Sequence, residues 1–546
     1  MNPLLIRRLA LLLALLACIS CKGKDKNTAD DEWQQSEERI VIDPSQGYQT
    51  MEGFGASDSW RAQFVGKNWP LKKREAMADL LFSKEVDSLG NPKGIALSLW
   101  RFYIGAGSAE QGDESGIPNP WRRAESFLNA DGSYDWTKQE GQQWFLQAAI
   151  ERGLDNFLAY SISAPVHMTI NGKAWSPGGR GFNIREGKKA DFADFLANVC
   201  GYFEEQGLGF NYISPFNEPQ WDWKAPASQE GTPALNAEIA EVVRLLSPRL
   251  LKSSPTTEIV IPEAAELQFL YGRNFKRGRQ NQIDDFFSPS SSNYVGDLPN
   301  VKHVVLGHSY FTTNKNRNLI TIRRFLHEKL QEYSGELGFW QSEFCILEEH
   351  SDIGAGWNRD LGMPTALYVA RVIHHDITVA NARSWSWWTA LTQFDYKDGL
   401  IYLDSGTGGI RGPEHPDSKT LKNDGYFRES KLLWALGNYA RFVRPGMQRI
   451  KTESLTTASE VERADKLMVS GYVNREDDTL VLVLVNYSDS PHRLVIDNLD
   501  VDLSFRDHQF ESYTTCETGN LQKGVVPVDD IEIGKRSVVT LVGRMQ

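Results

Sequence analysis

From about Met51 to Arg441 the chain alternates short apolar, β-like runs with segments of helical period. The strand candidates are 52–57, 95–102, 156–162, 211–216, 258–262, 301–307, 337–342 and 382–388. Between them Phe192, Phe195, Leu196, Val199, Cys200 and Phe203 fall at i, i+3, i+4, i+7, i+8 and i+11, the apolar stripe of one helix face. Ile239, Val242, Val243 and Leu246 repeat that spacing ahead of Pro248, and 138–152, 318–333, 360–379 and 429–441 read the same way. Strand and helix alternating eight times predict an α/β fold, a (β/α)8 TIM barrel over residues 51–444.

After Pro445 the pattern becomes all-β. Short β-branched runs at 466–473, 479–486, 493–496 and 537–542 are separated by Asn, Asp, Gly and Ser turns. The run Arg39-Ile-Val-Ile-Asp43, ahead of the barrel, is also strand-like. A discontinuous β-sandwich of residues 39–50 and 445–546, fused to the side of the barrel, is therefore expected.

Residues 1–21 read as an export signal. Arg7 and Arg8 precede an unbroken apolar run, Leu9 to Ala17, about half of what a membrane-spanning helix needs. Ala17-Cys-Ile-Ser-Cys21 resembles a bacterial lipobox, which makes Cys21 the preferred lipidation site and Cys18 its competitor. Residues 22–38 are polar, charged and without apolar period at their start, as a flexible tether would be. The expectation is an exported lipoprotein at the outer membrane, cell surface or periplasm, touching membrane only through its N-terminal lipid.

The formal net charge of −12 argues against nucleic acid as partner and suits a neutral polysaccharide. Cys200, Cys345 and Cys516 are too few and too widely spaced for a disulfide framework or a zinc site, so free thiols, no metal and no cofactor are expected. The chain is expected to be a monomer.

Two acids stand out. Glu218, in Ile213-Ser-Pro-Phe-Asn-Glu-Pro-Gln-Trp-Asp-Trp223, follows the fourth strand candidate, and Glu343, in Phe339-Trp-Gln-Ser-Glu-Phe344, ends the seventh. Barrel active sites form at the C-terminal strand ends, so these carboxylates face each other across the barrel mouth. Paired carboxylates are the working parts of a glycosidase: Glu218 as acid/base, its pKa raised by aromatic surroundings and a second carboxylate, and Glu343 as nucleophile.

Asn217-Glu218-Pro219 after strand four and Ser342-Glu343 after strand seven resemble clan A of the glycoside hydrolases. Met51-Glu-Gly-Phe-Gly-Ala-Ser57, Leu99-Trp-Arg-Phe-Tyr-Ile-Gly-Ala-Gly107, Ser163-Ala-Pro-Val-His-Met-Thr169 and Trp434-Ala-Leu-Gly-Asn-Tyr-Ala-Arg-Phe-Val-Arg-Pro-Gly446 resemble family 30 of those hydrolases. The resemblance implies a retaining enzyme acting on β-linked polysaccharide or oligosaccharide without a metal. It implies that Arg101 hydrogen-bonds the nucleophile, that Asn217 holds the sugar 2-hydroxyl, and that His308 and Tyr310 contact the nucleophile and sugar. It also implies Trp387 as the floor on which a pyranose would stack, and alternation puts Trp387 on the same face as Trp385 and opposite Trp388.

The run Gly53 to Trp60 looks most like the endo-β-1,6-galactanase branch, and by analogy Asp58 would hold sugar hydroxyls. Trp100, Trp121, Trp175, Trp221, Trp223 and Trp357 fall in or beside loops after strands, more aromatic surface than one sugar needs, which points to endo action. After strand three the chain departs from the family, with Ile162-Ser-Ala-Pro165 and His167-Met168 replacing an amide and an aromatic. β-1,6-Glucanase, glucuronoxylanase and exo-acting β-glycosidase are alternatives within the class. Arg359, Arg383 and Lys397 are the basic residues a glucuronoxylanase would use. A non-catalytic surface glycan-binding lipoprotein is the alternative outside it.

Overall fold

The computed structural model describes residues 37–272, 276–333, 335–406, 417–499 and 503–546. The export signal, Cys21 and the tether up to residue 36 lie outside the described residues. Glu37 and Glu38, read from sequence as tether, instead begin a strand, Glu37–Thr50. No helix among the described residues is long and apolar enough to cross a membrane.

The fold is the expected one. Eight strands, Gly53–Ser57, Leu99–Ile104, Phe157–Ser161, Tyr212–Ser214, Glu258–Ala264, Val301–His308, Gly338–Glu343 and Ala382–Trp387, form a closed parallel barrel in chain order. The eighth closes on the first, with Gly53 opposite Ser384 and Ala56 opposite Trp387. The second strand begins at Leu99, not at residue 95. The apolar stretch before it is spent on the helix Leu71–Phe82, where the Ile95 and Leu97 amides donate to the Leu80 and Leu81 carbonyls. Helix Met363–Thr378 starts later than its apolar period, because Pro364 has no amide to donate and suits a first turn.

A separate mixed sheet of nine strands runs in the order Gln522–Pro527, Gln509–Thr515, Ser537–Arg544, Thr479–Asn486, Leu467–Asn474, Gln448–Ser454, Glu37–Thr50, His492–Ile496, Ile531–Ile533. Alternation along Thr479–Asn486 explains its unbroken apolar sequence. Leu480, Leu482 and Leu484 enter a core of this domain's own, while Val481, Val483 and Val485 join the large core shared with the barrel helices. Four strands of this sheet, Gln448–Ser454, Gln509–Thr515, Gln522–Pro527 and Ile531–Ile533, and a small sheet of Thr389–Thr392, Gly399–Asp404 and Tyr426–Glu429 have no counterpart among the strand candidates. Exposed or half-exposed positions break the apolar signal in the four sheet strands and in Tyr426–Glu429.

Candidate active site

Period-2 alternation delivers the site. Leu99, Leu158, Val260, Val304, Leu306 and Trp340 pack together inside the barrel as an apolar plug. Two residues further along their strands come Arg101, Tyr160 and His308, which project above that plug at the C-terminal end. Trp100, Phe102 and Ile104 point the other way, into the core beneath the helices.

Arg101 donates through Nη1 to Glu343 Oε2 (3.0 Å) and through Nη2 to Glu263 Oε1 (3.1 Å). Its guanidinium carbon lies 4.4 Å from the Tyr160 ring centre. The Tyr310 hydroxyl donates to Glu343 Oε1 at 3.0 Å. His308 stands between two other carboxylates, Nδ1 at 2.9 Å from Glu218 Oε1 and Nε2 at 3.0 Å from Glu263 Oε2, while Nδ1 is 3.8 Å from Glu343 Oε1. One oxygen of Glu218, one of Glu343 and a His308 nitrogen lie within 4.8 Å of one another. Both ring nitrogens of His308 are spent on carboxylates, so the cluster reads as an acid–base assembly more than as a metal cage.

The backbone is unusual at two of these acids. Glu218 has φ +47° and Glu263 φ +54°, in the left-handed region that L side chains seldom occupy, and the Glu218 amide donates to the Glu263 carbonyl at 2.9 Å. Such conformations persist where surrounding structure over-determines them. The Trp223 indole supports this turn by donating to the Glu218 carbonyl at 3.0 Å.

Arg101, Tyr160, His308, Tyr310 and the three glutamates are all buried. Burial pushes the Glu218 carboxyl above the ordinary carboxylate range; His308 works against that, and the Glu343 and Glu263 charges add to it. Burial alone would depress the His308 imidazole, but the Glu343 charge, with hydrogen bonds to Glu218 and Glu263, carries it up to about 10. Burial alone would raise Glu263; Arg101 and His308 outweigh it and hold its carboxyl below the usual range. A protonatable acid beside a fixed imidazolium and an anchored carboxylate is equipped for proton transfer at a sugar oxygen.

The model of the O-glycosyl hydrolase family 30 matches residues 37–402. The chain belongs to that family. A fungal endo-β-1,6-galactanase from Hypocrea rufa is 26% identical over 228 residues, 39% of this chain and 46% of the galactanase, so the chain spans about half the length of that relative. Among solved structures, a conserved exported protein from Bacteroides fragilis is 37% identical, with TM-score 0.85 over 92% of this chain and 99% of that one. The GH30 xylanase C catalytic domain from Talaromyces cellulolyticus (18% identity, TM-score 0.64, 93% and 100% coverage) and an endo-β1,6-glucanase (14%, 0.61, 93% and 94%) share the fold.

Within this family 30 chain the other sequence-predicted residues divide. Asn217 is buried beside Glu218 and its Oδ1 has no hydrogen-bond partner among the described residues, which leaves an acceptor for a hydroxyl. Trp221 is half-buried, edge-on to Phe311 and Phe269, on the Glu218 side of the mouth. Trp175 is half-buried and anchored through its indole to the Ser115 carbonyl at 2.7 Å.

Two assignments need correction. Trp387 is fully buried, stacked on Trp385 on the helix side of strand eight, with its indole on the Asp398 carbonyl (2.8 Å). It offers no face to a sugar. The half-buried Trp388, of opposite parity, lines an open groove instead. Asp58 is committed within the protein: one oxygen accepts from the Tyr103 amide (3.0 Å), the other from Gln142 (2.9 Å), and burial pushes its pKa up to about 8. Trp100 and Trp121 are likewise core.

Sequence reading missed Glu263. Its signal was present: an acid directly after the fifth strand candidate, in Ile261-Pro-Glu263, at the same relative place as Glu218 and Glu343.

Proposed function

We propose that this family 30 hydrolase cleaves β-1,6-linked galactan internally, with retention of anomeric configuration. The observation that carries the mechanism is the approach of Glu218 and Glu343 oxygens to within 4.8 Å, the close spacing of retaining rather than inverting carboxylate pairs. Glu343, oriented by Arg101 and Tyr310, attacks the anomeric carbon as the glycosidic C–O bond breaks, and Glu218 gives its proton to the departing oxygen. Glu218, now a carboxylate beside His308, takes a proton from water as that water displaces Glu343 from the sugar.

The galactanase relative supports the sugar, and aromatic surface on both sides of the acids supports internal cleavage. On one side stand Trp221 and the exposed Phe311, on the other Trp388 and the exposed Trp357. Each of the three basic candidates for a glucuronoxylanase already has a protein partner among the described residues. Arg359 pairs with Asp404 (2.6 Å), Lys397 donates to the Ala355 and Trp357 carbonyls, and Arg383 lies near Glu52 at the opposite barrel end.

Digests of β-1,6-galactan, β-1,6-glucan and glucuronoxylan, with product sizing and early proton NMR of the new reducing end, test this. Expected are galacto-oligosaccharides that first appear as the β-anomer, and losses of roughly 10³-fold or more in Glu218→Gln and Glu343→Gln. An α-anomer as first product removes the mechanism, and cleavage of glucan alone removes the sugar.

Export as a lipoprotein is part of the same reading, supported by the lipobox-like Ala17 to Cys21 and by the exported relative. Metabolic labelling with a palmitate analogue should mark the wild-type chain and not Cys21→Ala.

A further inference from the structure

A cavity of about 530 Å³ lies at the seam between barrel and sheet domain, away from the acids. On one side the barrel helices Asn316–Gln331 and Met363–Thr378 wall it with His327 and His374. On the other, strands Glu37–Thr50 and Gln448–Ser454 and the short helix Glu460–Arg463 contribute Glu38, Tyr48, Arg449 and Arg463. Asn381, which also lines it, directly precedes strand eight, so the cavity sits at the N-terminal end of the barrel, opposite the catalytic mouth.

Arg449 is the unusual group. It is only 7% exposed, yet it forms no ion pair among the described residues. Its Nε donates to Gln49 Oε1 (2.9 Å), its Nη2 donates to Asn381 Oδ1 (2.7 Å), and its guanidinium carbon lies 3.8 Å from the Tyr48 ring centre. All three partners are neutral, and Nη1 makes no hydrogen bond among the described residues. Burial brings the Arg449 pKa down to about 10, with only Tyr472 and Tyr48 working against it. A buried cation without a counter-charge is costly, and a bound anion offsets that cost. The planar fork of a guanidinium suits an oxyanion in particular.

The surroundings favour the same ligand. Arg463 also forms no ion pair among the described residues, and its Nη1 donates to the Ala458 carbonyl. The two acids on the walls are engaged elsewhere: Glu460 pairs with Arg324 at 2.7 Å, and Glu38 accepts from the Ser454 hydroxyl. Burial, the neighbouring His375 and the charges of Arg449 and Arg463 hold the His374 imidazole well below the ordinary histidine range. Both arginines are therefore felt at one neutral ring, whose Nδ1 has no partner among the described residues. The cavity is larger than a bare ion fills and falls within the roughly 300–1,000 Å³ of small-molecule sites.

We infer that this seam cavity binds an oxyanion of the sulfate or phosphate kind, held by Arg449 with support from Arg463, and that the bound anion ties the two domains together. The anion is either free or carried on a small body such as a sugar. The site is separate from the hydrolase reading above and needs no turnover to be tested.

The experiment is thermal unfolding of the full chain titrated with sulfate, phosphate or galactose 6-sulfate, each against chloride of equal ionic strength and against galactose. Expected is a saturable rise in Tm of about 2 °C or more with the oxyanions and none with chloride or galactose. That rise should disappear in Arg449→Gln and fall by at least half in Arg463→Gln. Arg463 braces only a loop carbonyl, so its variant decides the matter where Arg449→Gln does not fold. A rise that does not saturate, that chloride reproduces, or that survives in Arg463→Gln overturns the inference, as does an equal rise with galactose and galactose 6-sulfate. Saturation by galactose 6-sulfate at a concentration at least tenfold below that of sulfate identifies a sulfated sugar as the ligand, and equal saturation identifies the free ion; either supports the site. Loss of galactan hydrolysis in the wild type would remove the hydrolase reading and leave these Tm shifts in place.

Discussion

At the scale of single residues, the active site is a charge assembly in which Glu263 has the organising part. It reaches Arg101 with one oxygen and His308 with the other, and Ser342 also donates to it. Glu263 therefore fixes the two cations that in turn touch Glu343 and Glu218. Removing its charge should release the His308 imidazole toward ordinary histidine behaviour. In wild type the His308 ring resonances should not titrate between pH 5 and 8, since the group stays protonated up to about 10. In Glu263→Gln a titration should appear within that window, with kcat lower by roughly 10- to 100-fold as Arg101 and His308 lose their anchor. An unchanged ring titration would mean that Glu218 and Glu343 suffice to hold the imidazolium. Glu218 and Glu343 were legible in the chain because each closes an apolar run inside a distinctive motif. Glu263 was legible as an acid at a strand end but not as a member of the cluster, because its inward aim depends on register shifts between strands five and six, at Ile259, Ile261 and Ala264. Trp387 was misassigned for a related reason. Alternation groups Trp385 with Trp387 and separates Trp388, yet parity alone does not say which group faces the cleft.

At the scale of elements, the loop after strand one, with Trp60 and Arg61, is positioned by how closely two helices meet. Helix Ala62–Asn68 crosses Glu140–Glu151 at Gly66 and Gly141. A methyl at Gly66 would stand 2.1 Å from the Gly141 carbonyl oxygen, and one at Gly141 would stand 1.9 Å from that of Gln63. Backbone opposes backbone here, so no side chain can swing aside. Gly141→Ala should cost about 1–3 kcal/mol despite alanine's better helix propensity, read as a lowered midpoint in urea unfolding. Helices of this kind are readable from apolar period; their crossing distance is not, since it depends on which two glycines come face to face.

At the scale of the whole molecule, barrel and sheet domain share a core, and their seam carries titratable groups that set its acid limit. Asp352, in the loop after strand seven, accepts from Arg371 of helix Met363–Thr378 (2.7 Å) and from the Tyr487 hydroxyl of the sheet domain (2.6 Å). Arg371 also lies over the Tyr487 ring, its guanidinium carbon 4.2 Å from the ring centre. Burial would raise Asp352, but Tyr487 and Arg371 outweigh it and bring its pKa down to about 2. A carboxyl depressed in the fold contributes stability that is complete above its unfolded value, ~4, and is lost as pH falls toward 2. Nearby His350 and His375 are depressed by burial to about 4 and about 3. They stay neutral in the fold while the unfolded chain takes up protons below ~6.5, so they too lower stability as pH falls, beginning earlier. Unfolding free energy should therefore decline from about pH 6.5 downward, with the two histidines carrying the fall to about pH 4 and Asp352 taking over below it. Asp352→Asn should cost about 2 kcal/mol at pH 7 by urea unfolding and under about 0.5 kcal/mol at pH 2, where the folded carboxyl is half protonated. An equal cost at both pH values would assign the loss to packing of the seam rather than to the ion pair, and would leave the histidines as the source of the acid limit.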